Sequence, residues 1–147
     1  MGLVQPMSEA VEHVLVVEDD ELIRRLVARV LSCHYVVDAV ATAEQALDKI
    51  AKGAHYDVVV CDICLPGMDG RTFIDVVAER ERAAAPRTVF ITASSSSMVA
   101  PLPCLEKPFS MKDLLAAIRY ARTPSSSMIQ PAGGRADAAD DTGPEAG

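Results

Sequence analysis

Short runs of valine, isoleucine and leucine alternate along most of the chain with longer stretches in which apolar residues recur every three or four positions. The short runs are typical of strands that a sheet buries on both faces, and the longer stretches are typical of amphipathic helices. The pattern predicts strands at 13–17, 35–40, 56–61, 87–92 and 103–106. It predicts helices at 20–33, 42–53, 71–84 and 110–121.

Strands that alternate with helices predict a parallel sheet, because each helical crossover carries the chain back over one face of the sheet. We therefore predict an α/β fold with a doubly wound, five-stranded parallel sheet that helices cover on both faces. Thr42 and Ser110 are predicted helix N-caps, and Gln45 follows Thr42 at the spacing of a capping box.

The segment between the fourth and fifth strands breaks this alternation. Four consecutive serines at 94–97 compete for backbone hydrogen bonds, and prolines at 101 and 103 interrupt the residues after them. We predict that the helix expected here, the fourth in a regular alternation, is short, distorted or missing.

The first predicted helix has an apolar stripe that consists of Ile23, Leu26, Val27, Val30 and Leu31. Arg24, Arg25 and Arg29 fall largely off this stripe. A solvated helix face is the favoured interpretation of the three arginines, and a partner-docking face is the alternative.

The length of 147 residues predicts one domain that is large enough to bury a hydrophobic core. Residues 1–11 are expected to be a flexible lead, 12–122 the domain, and 123–147 a disordered tail, because the tail is rich in Pro, Gly, Ser and Asp and poor in apolar residues. No stretch has the roughly 18 apolar residues of a membrane span, and the first residues lack the pattern of a signal peptide. We therefore expect a cytoplasmic protein that is not inserted in a membrane.

The net charge of −7 argues against direct binding of nucleic acid, which Lys and Arg side chains usually mediate. The four cysteines include the pair Cys61-x-x-Cys64. A zinc site would need a second pair at similar spacing, and Cys33 and Cys104 stand alone. Reduced thiols are therefore the favoured interpretation over a metal or redox motif.

Polar residues stand where the predicted strands end. Glu18 and Asp19 follow the first strand, Asp62 follows the third, Thr92 ends the fourth, and Lys107 follows the fifth. The carboxyl ends of parallel strands share one edge of the sheet, where ligands bind. Two carboxylates about 5 Å apart repel by about 3 kcal/mol at an effective dielectric constant near 20, so a hard cation such as Mg²⁺ is expected among them.

With Mg²⁺ bound, one carboxylate can act as the nucleophile toward a phosphoryl group. Asp62 is the natural candidate, because it ends the central strand while Glu18 and Asp19 form the acidic pair beside it. Lys107 and Thr92 can then supply a charge and a hydroxyl to the phosphoryl oxygens.

Four segments carry a family resemblance: VLVVEDD, VVVCDICLPGMDG, VFITA and EKPF. They resemble the signature segments of the receiver domain of two-component response regulators, and the likeness runs from about Val14 to Arg122. The resemblance implies a flavodoxin-like sheet with strand order 2-1-3-4-5. It also suggests a stand-alone, single-domain type with a shortened fourth-helix region.

The resemblance assigns a role to each strand-end residue. It implies that Asp62 accepts a phosphoryl group from a sensor histidine kinase or a histidine phosphotransfer protein. It implies that Glu18, Asp19, Asp62 and the backbone carbonyl of Cys64 hold Mg²⁺, and that Thr92 and Lys107 bind the phosphoryl group. It further implies a cis peptide bond between Lys107 and Pro108.

One position departs from the pattern of the family. Cys104 occupies the place of a switch Tyr or Phe that is coupled to the threonine, here Thr92. Cysteine has too little bulk for the usual aromatic rotation, so a different readout is expected. One hypothesis is that the Ser-rich segment 94–97 becomes ordered over the site upon phosphorylation.

The leading interpretation is therefore a single-domain response regulator that switches protein–protein interactions or relays phosphate. It is expected to be an enzyme only toward itself, through self-phosphorylation and self-dephosphorylation. The downstream partner is unidentified, and homodimer formation is left open. The alternative is a receiver-like module that binds proteins independently of phosphorylation. A haloacid-dehalogenase-type phosphatase is disfavoured, because Cys64 stands where that family needs a second aspartate.

Overall fold

The computed structural model describes residues 11–82, 84–93 and 102–124. These residues form five strands and four helices. The strands are β1 (His13–Val17), β2 (Val36–Val40), β3 (Val58–Asp62), β4 (Arg87–Thr92) and β5 (Cys104–Glu106). The helices are α1 (Glu21–Leu31), α2 (Ala43–Ala51), α3 (Gly70–Arg80) and α4 (Met111–Arg119).

The five strands form one parallel sheet with the order β2-β1-β3-β4-β5. The predicted fold class and strand order are confirmed. Because β1 and β3 lie side by side in the middle of the sheet, their carboxyl ends bring Glu18 and Asp62 to the same edge.

Several sequence predictions concern residues outside the described part of the chain. The short or missing fourth helix and the ordering of the Ser-rich segment concern residues 94–101. The disordered tail concerns mainly 125–147, and most of the N-terminal lead lies at 1–10. These statements, and the domain bounds of 12–122, stay predictions.

The sheet separates two apolar layers. On one face Leu15 and Val17 pack in the layer that α2 and α3 cover, which contains Phe73. On the other face Val14 and Val16 pack in the layer that α1 and α4 cover. Successive strand residues point to opposite faces, so burial on both sides explains why the strands read as unbroken apolar runs.

The helices begin at side chains that accept hydrogen bonds from their first turns. Thr42 and Gln45 form the predicted capping box at the start of α2, and Ser110 caps α4 as predicted. Asp20 caps α1, and Asp69 caps α3. These caps satisfy backbone N–H groups that have no partner within the helix.

The apolar stripe predicted for the first helix is too wide. Val27 and Leu31 are fully buried, whereas Leu26 is 52 % exposed. The sheet and α4 cover only one side of α1, which leaves Leu26 and the neighbouring Leu22 at the surface.

Tyr56→Phe is expected to lower the free energy of unfolding by about 1 kcal/mol at neutral pH. The Tyr56 hydroxyl donates a 2.6 Å hydrogen bond to Asp38, and the tyrosine is buried. Burial raises the pKa of Tyr56, and the hydrogen bond to Asp38 and its negative charge raise it further.

The contribution of Tyr56 to the free energy of unfolding falls at high pH. The pKa of Tyr56 is higher in the folded chain than in the unfolded chain, so its contribution is complete below the unfolded value near pH 10 and is lost as pH rises. Urea unfolding of both proteins at pH 7 and above pH 10 measures the difference. A stability difference that stays constant across this range would contradict the assignment.

Candidate functional site

Three carboxylates meet at the carboxyl edge of the sheet. Glu18 directly follows β1, Asp19 comes next in the loop, and Asp62 ends β3. One oxygen from each residue lies within 4.8 Å of the others. Glu18 and Asp62 are buried and Asp19 is exposed, so the cluster opens to solvent on one side. The structure therefore brings together the three carboxylates that were predicted as a metal site.

Lys107 extends into this cluster from the residue after β5. Its Nζ atom lies 2.9 Å from Oε1 of Glu18 and 3.0 Å from Oδ2 of Asp62. Its backbone N–H donates to the carbonyl of Thr92 at 2.7 Å, and the Lys107–Pro108 peptide bond is cis, as the resemblance implied. The ammonium group therefore bridges the two buried carboxylates.

The electrostatics of the cluster reflect its burial. Removal from water raises the pKa of Glu18 to about 7, and the charge of Asp62 adds to this, while the hydrogen bond from Asp20 and the nearby ammonium group of Lys107 act in the opposite direction. Burial alone would lower the pKa of Lys107, but Glu18 and Asp62 raise it overall. Lys107 is therefore a permanent positive charge beside the carboxylates.

Backbone N–H groups fix the orientation of the two buried carboxylates. Oδ1 of Asp62 accepts a hydrogen bond from the N–H of Cys64 at 2.9 Å. Oε2 of Glu18 accepts one from the N–H of Asp20 at 3.0 Å. Each donor lies two residues after its acceptor, so both strand-to-helix loops turn back onto the carboxylate that precedes them.

The cluster fits a hard divalent cation. Oε1 of Glu18 is buried and accepts no well-aligned hydrogen bond from the described residues, although Nζ of Lys107 lies at ion-pair distance. The ligand set consists of oxygen atoms alone, which suits Mg²⁺. Burial, followed by the charge of Asp62, raises the pKa of the neighbouring Cys61 thiol well above its usual value.

Thr92 and Cys104 lie on the neighbouring strands. Thr92 is buried at the end of β4, one residue beyond Ile91, which is in register with Asp62. Cys104 begins β5 in register with Phe90 and is partly buried against the layer that includes Leu102. Thr92 thus lies beside the acidic cluster, and Cys104 lies two positions before the site end of its strand.

Three residues near the site were not predicted to belong to it. Arg24 donates to the carbonyl of Glu18 at 3.0 Å and lies near that of Asp19, so the solvated-face interpretation is wrong for this arginine. Glu44 contacts the loop after Asp62, and Gly70 packs against the backbone of Asp62. Arg25 is exposed, in accordance with its predicted solvated face.

A comparison with known protein families identifies the family of the chain. A sequence model of the response regulator receiver domain matches residues 14–119, which is most of the chain. The chain belongs to the response regulator receiver family. This match runs from the second residue of β1 to the end of α4, and it includes every strand end that contributes to the acidic cluster.

Curated relatives of this receiver domain are longer than the domain itself. The two-component response regulator PhoP of Pseudomonas aeruginosa is 31 % identical over 125 residues, which cover 79 % of this chain and 54 % of PhoP. A protein-glutamate methylesterase/protein-glutamine glutaminase of Myxococcus xanthus is 34 % identical over 84 residues, which cover 56 % of this chain and 24 % of that protein. The chain thus spans about half or less of these relatives.

Among solved structures, the chemotaxis response regulator CheY4 of Vibrio cholerae is similar to the receiver domain described here. The two share 28 % identity with a TM-score of 0.66, and the match covers 75 % of this chain and 98 % of CheY4.

Within the described ranges, no helix is both long enough and apolar enough to cross a membrane.

Proposed function

We propose that Asp62 accepts a phosphoryl group from a histidine of a sensor histidine kinase or a histidine phosphotransfer protein. One observation carries this proposal: a buried aspartate ends the central strand β3 beside a fixed ammonium group and two further carboxylates. In that position Asp62 is held in one orientation and still borders the exposed side of the cluster.

The transfer moves one phosphoryl group from nitrogen to oxygen. A carboxylate oxygen of Asp62 attacks phosphorus, the P–N bond of the donor phosphohistidine breaks, and a P–O bond of an aspartyl phosphate forms. The electron pair of the broken bond returns to the imidazole of the donor. Later attack by water on the phosphorus would restore the carboxylate and release inorganic phosphate.

Mg²⁺ would be held by Glu18, Asp19, Asp62 and the backbone carbonyl of Cys64. When bound, the ion supplies positive charge that offsets the three carboxylates and the incoming phosphoryl oxygens. The fit of the oxygen-only ligand set and the buried Oε1 of Glu18 support this assignment.

Lys107 and Thr92 would bind the transferred group. Nζ of Lys107 contacts Asp62 and can form an ion pair with a phosphoryl oxygen on that residue. Thr92 ends the adjacent strand, and its hydroxyl can donate to another phosphoryl oxygen. Both residues would respond to the charge that arrives on Asp62.

The output would be a change in protein–protein interaction or the passage of phosphate to another histidine. Cys104 replaces the bulky switch residue, so the change at Thr92 would reach the surface without an aromatic rotation. The protein would act as an enzyme only on itself, with a downstream protein as its effector target.

The experiment that tests this function is intact-mass spectrometry after incubation with Mg²⁺ and acetyl phosphate. We expect the wild-type protein to gain one phosphoryl group and Asp62→Asn to gain none. Asp48→Asn is the matched control, because Asp48 is an exposed carboxylate on α2 away from the cluster, and it should be phosphorylated like the wild type.

Two further samples separate phosphoryl transfer from cation binding. Wild-type protein with EDTA in place of Mg²⁺ should gain no phosphoryl group, which tests the requirement for the ion. A wild-type protein that gains no mass, yet binds Mg²⁺ in a calorimetric titration, would favour the module that binds proteins independently of phosphorylation.

A further inference from the structure

We infer that Glu44, on the second helix, is a positioning residue for Asp62. This inference rests on the proposed function, because it concerns the efficiency with which Asp62 receives a phosphoryl group. Glu44 touches neither the phosphoryl donor nor the cation. It acts through the loop that follows β3, which is defined here as residues 63–69.

The contact joins two elements that are distant in sequence. Oε2 of Glu44 accepts a hydrogen bond from the backbone N–H of Met68 at 3.0 Å, across 24 positions of the chain. The capping box of Thr42 and Gln45 fixes the first turn of α2, in which Glu44 lies. The carboxylate therefore projects from a rigid helix end onto the loop.

The backbone of the loop leaves space for this carboxylate at Gly67. Gly67, the residue before Met68, has a φ of +75°, a conformation that residues with a Cβ rarely adopt. A Cβ atom at this position would lie 2.9 Å from Oε2 of Glu44. Glycine thus provides both the backbone turn and the space that the Glu44 contact needs.

The same loop orients the carboxylate of Asp62. At its start the N–H of Cys64 donates to Oδ1 of Asp62 at 2.9 Å, and just after its end the N–H of Gly70, the first residue of α3, donates to the carbonyl of Ile63 at 2.8 Å. The loop is therefore closed on itself beside Asp62. A shift of the Met68 end would move the Cys64 donor and change the orientation of Asp62.

Loss of the Glu44 carboxylate should affect this orientation more than the stability of the fold. Glu44 is exposed and lines a cavity of about 770 Å³ together with Asp48. Water from this cavity can replace the carboxylate as the acceptor for Met68, so no buried donor is left without a partner. Water does not hold the loop to the helix, however.

The test compares Glu44→Ala, Glu44→Gln and Asp48→Ala. Glutamine keeps an oxygen acceptor at the same reach, whereas Asp48 lines the same cavity and carries the same charge but forms its ion pair with Lys52. The first measurement, amide hydrogen exchange at Met68, reports the contact. The second, the ¹³C chemical shift of the Asp62 carboxyl carbon, reports its surroundings without any phosphoryl transfer. The third is the rate of phosphorylation by acetyl phosphate with Mg²⁺.

In Glu44→Ala we expect faster exchange at Met68, a shifted Asp62 carboxyl signal and a phosphorylation rate lower by about tenfold, the scale on which groups that orient a site act. Glu44→Gln should restore most of the rate, and Asp48→Ala should match the wild type in all three measurements. Faster exchange at Met68 with an unchanged Asp62 signal and an unchanged rate would overturn the inference, and so would unchanged exchange at Met68. A third outcome is that Glu44→Ala shifts the Asp62 signal while the wild type itself is not phosphorylated. That outcome would support positioning by Glu44 and overturn the proposed function instead.

Discussion

Lys107→Met is expected to slow phosphoryl transfer to Asp62 by about 100-fold, the scale on which loss of one preorganised electrostatic group acts. The ammonium group lies 2.9 Å from Glu18 and 3.0 Å from Asp62, so its charge is in place before a phosphoryl group arrives. Methionine keeps most of the apolar stem of lysine and removes the ammonium group, with both its charge and its hydrogen bond to Asp62. Loss of rate would therefore report the ammonium group and not the packing of the stem.

The rate of mass gain with acetyl phosphate and Mg²⁺ measures this effect. Lys112→Met is the matched control, because Lys112 is an exposed lysine on α4. Lys107→Arg keeps the charge but replaces a compact ammonium with a larger planar group, and we expect it to recover only part of the rate. Equal rates for Lys107→Met and the wild type would contradict the role proposed for Lys107.

The sheet could be predicted from the sequence because its signal is local. The strands β1, β3 and β4 are five or six residues long, and burial on both faces makes their middle positions unbroken apolar runs, with polar residues confined to the strand ends. Once the strands are known to be parallel, their ends must share one edge. That reasoning brings Glu18 and Asp62 together without knowledge of any contact.

The residues that hold the site could not be found in the same way. Arg24 binds backbone carbonyls and Glu44 binds a backbone N–H, so the partner of each is a group that every residue carries. The pattern along α1 places Arg24 off the apolar stripe, and an arginine there is more often solvated. Gly70 is typical of a turn next to a helix, but a glycine at a turn does not show which atoms pack against it.

Gly70→Ala is expected to destabilise the protein by about 2 kcal/mol and to impair phosphorylation of Asp62 at the same time. An added Cβ would lie 2.2 Å from the carbonyl oxygen of Asp62 and 2.9 Å from the Cα atom of Ile63. Both are backbone atoms of a segment that pairs with β4, so no flexible side chain can move aside. Either α3 or the end of β3 must shift.

Gly53→Ala is the matched control for this prediction. Gly53 has a φ of +102°, and a Cβ there would meet nothing within 4 Å, so alanine would introduce backbone strain of about 1 kcal/mol without a clash. Urea unfolding and the rate of mass gain with acetyl phosphate should separate the two variants. We expect both to lose stability, and only Gly70→Ala to lose rate, by about 100-fold, since a displacement of about 1 Å of a reacting group has an effect of that size. A stable Gly70→Ala protein with a normal rate would mean that α3 can withdraw from β3 without moving Asp62.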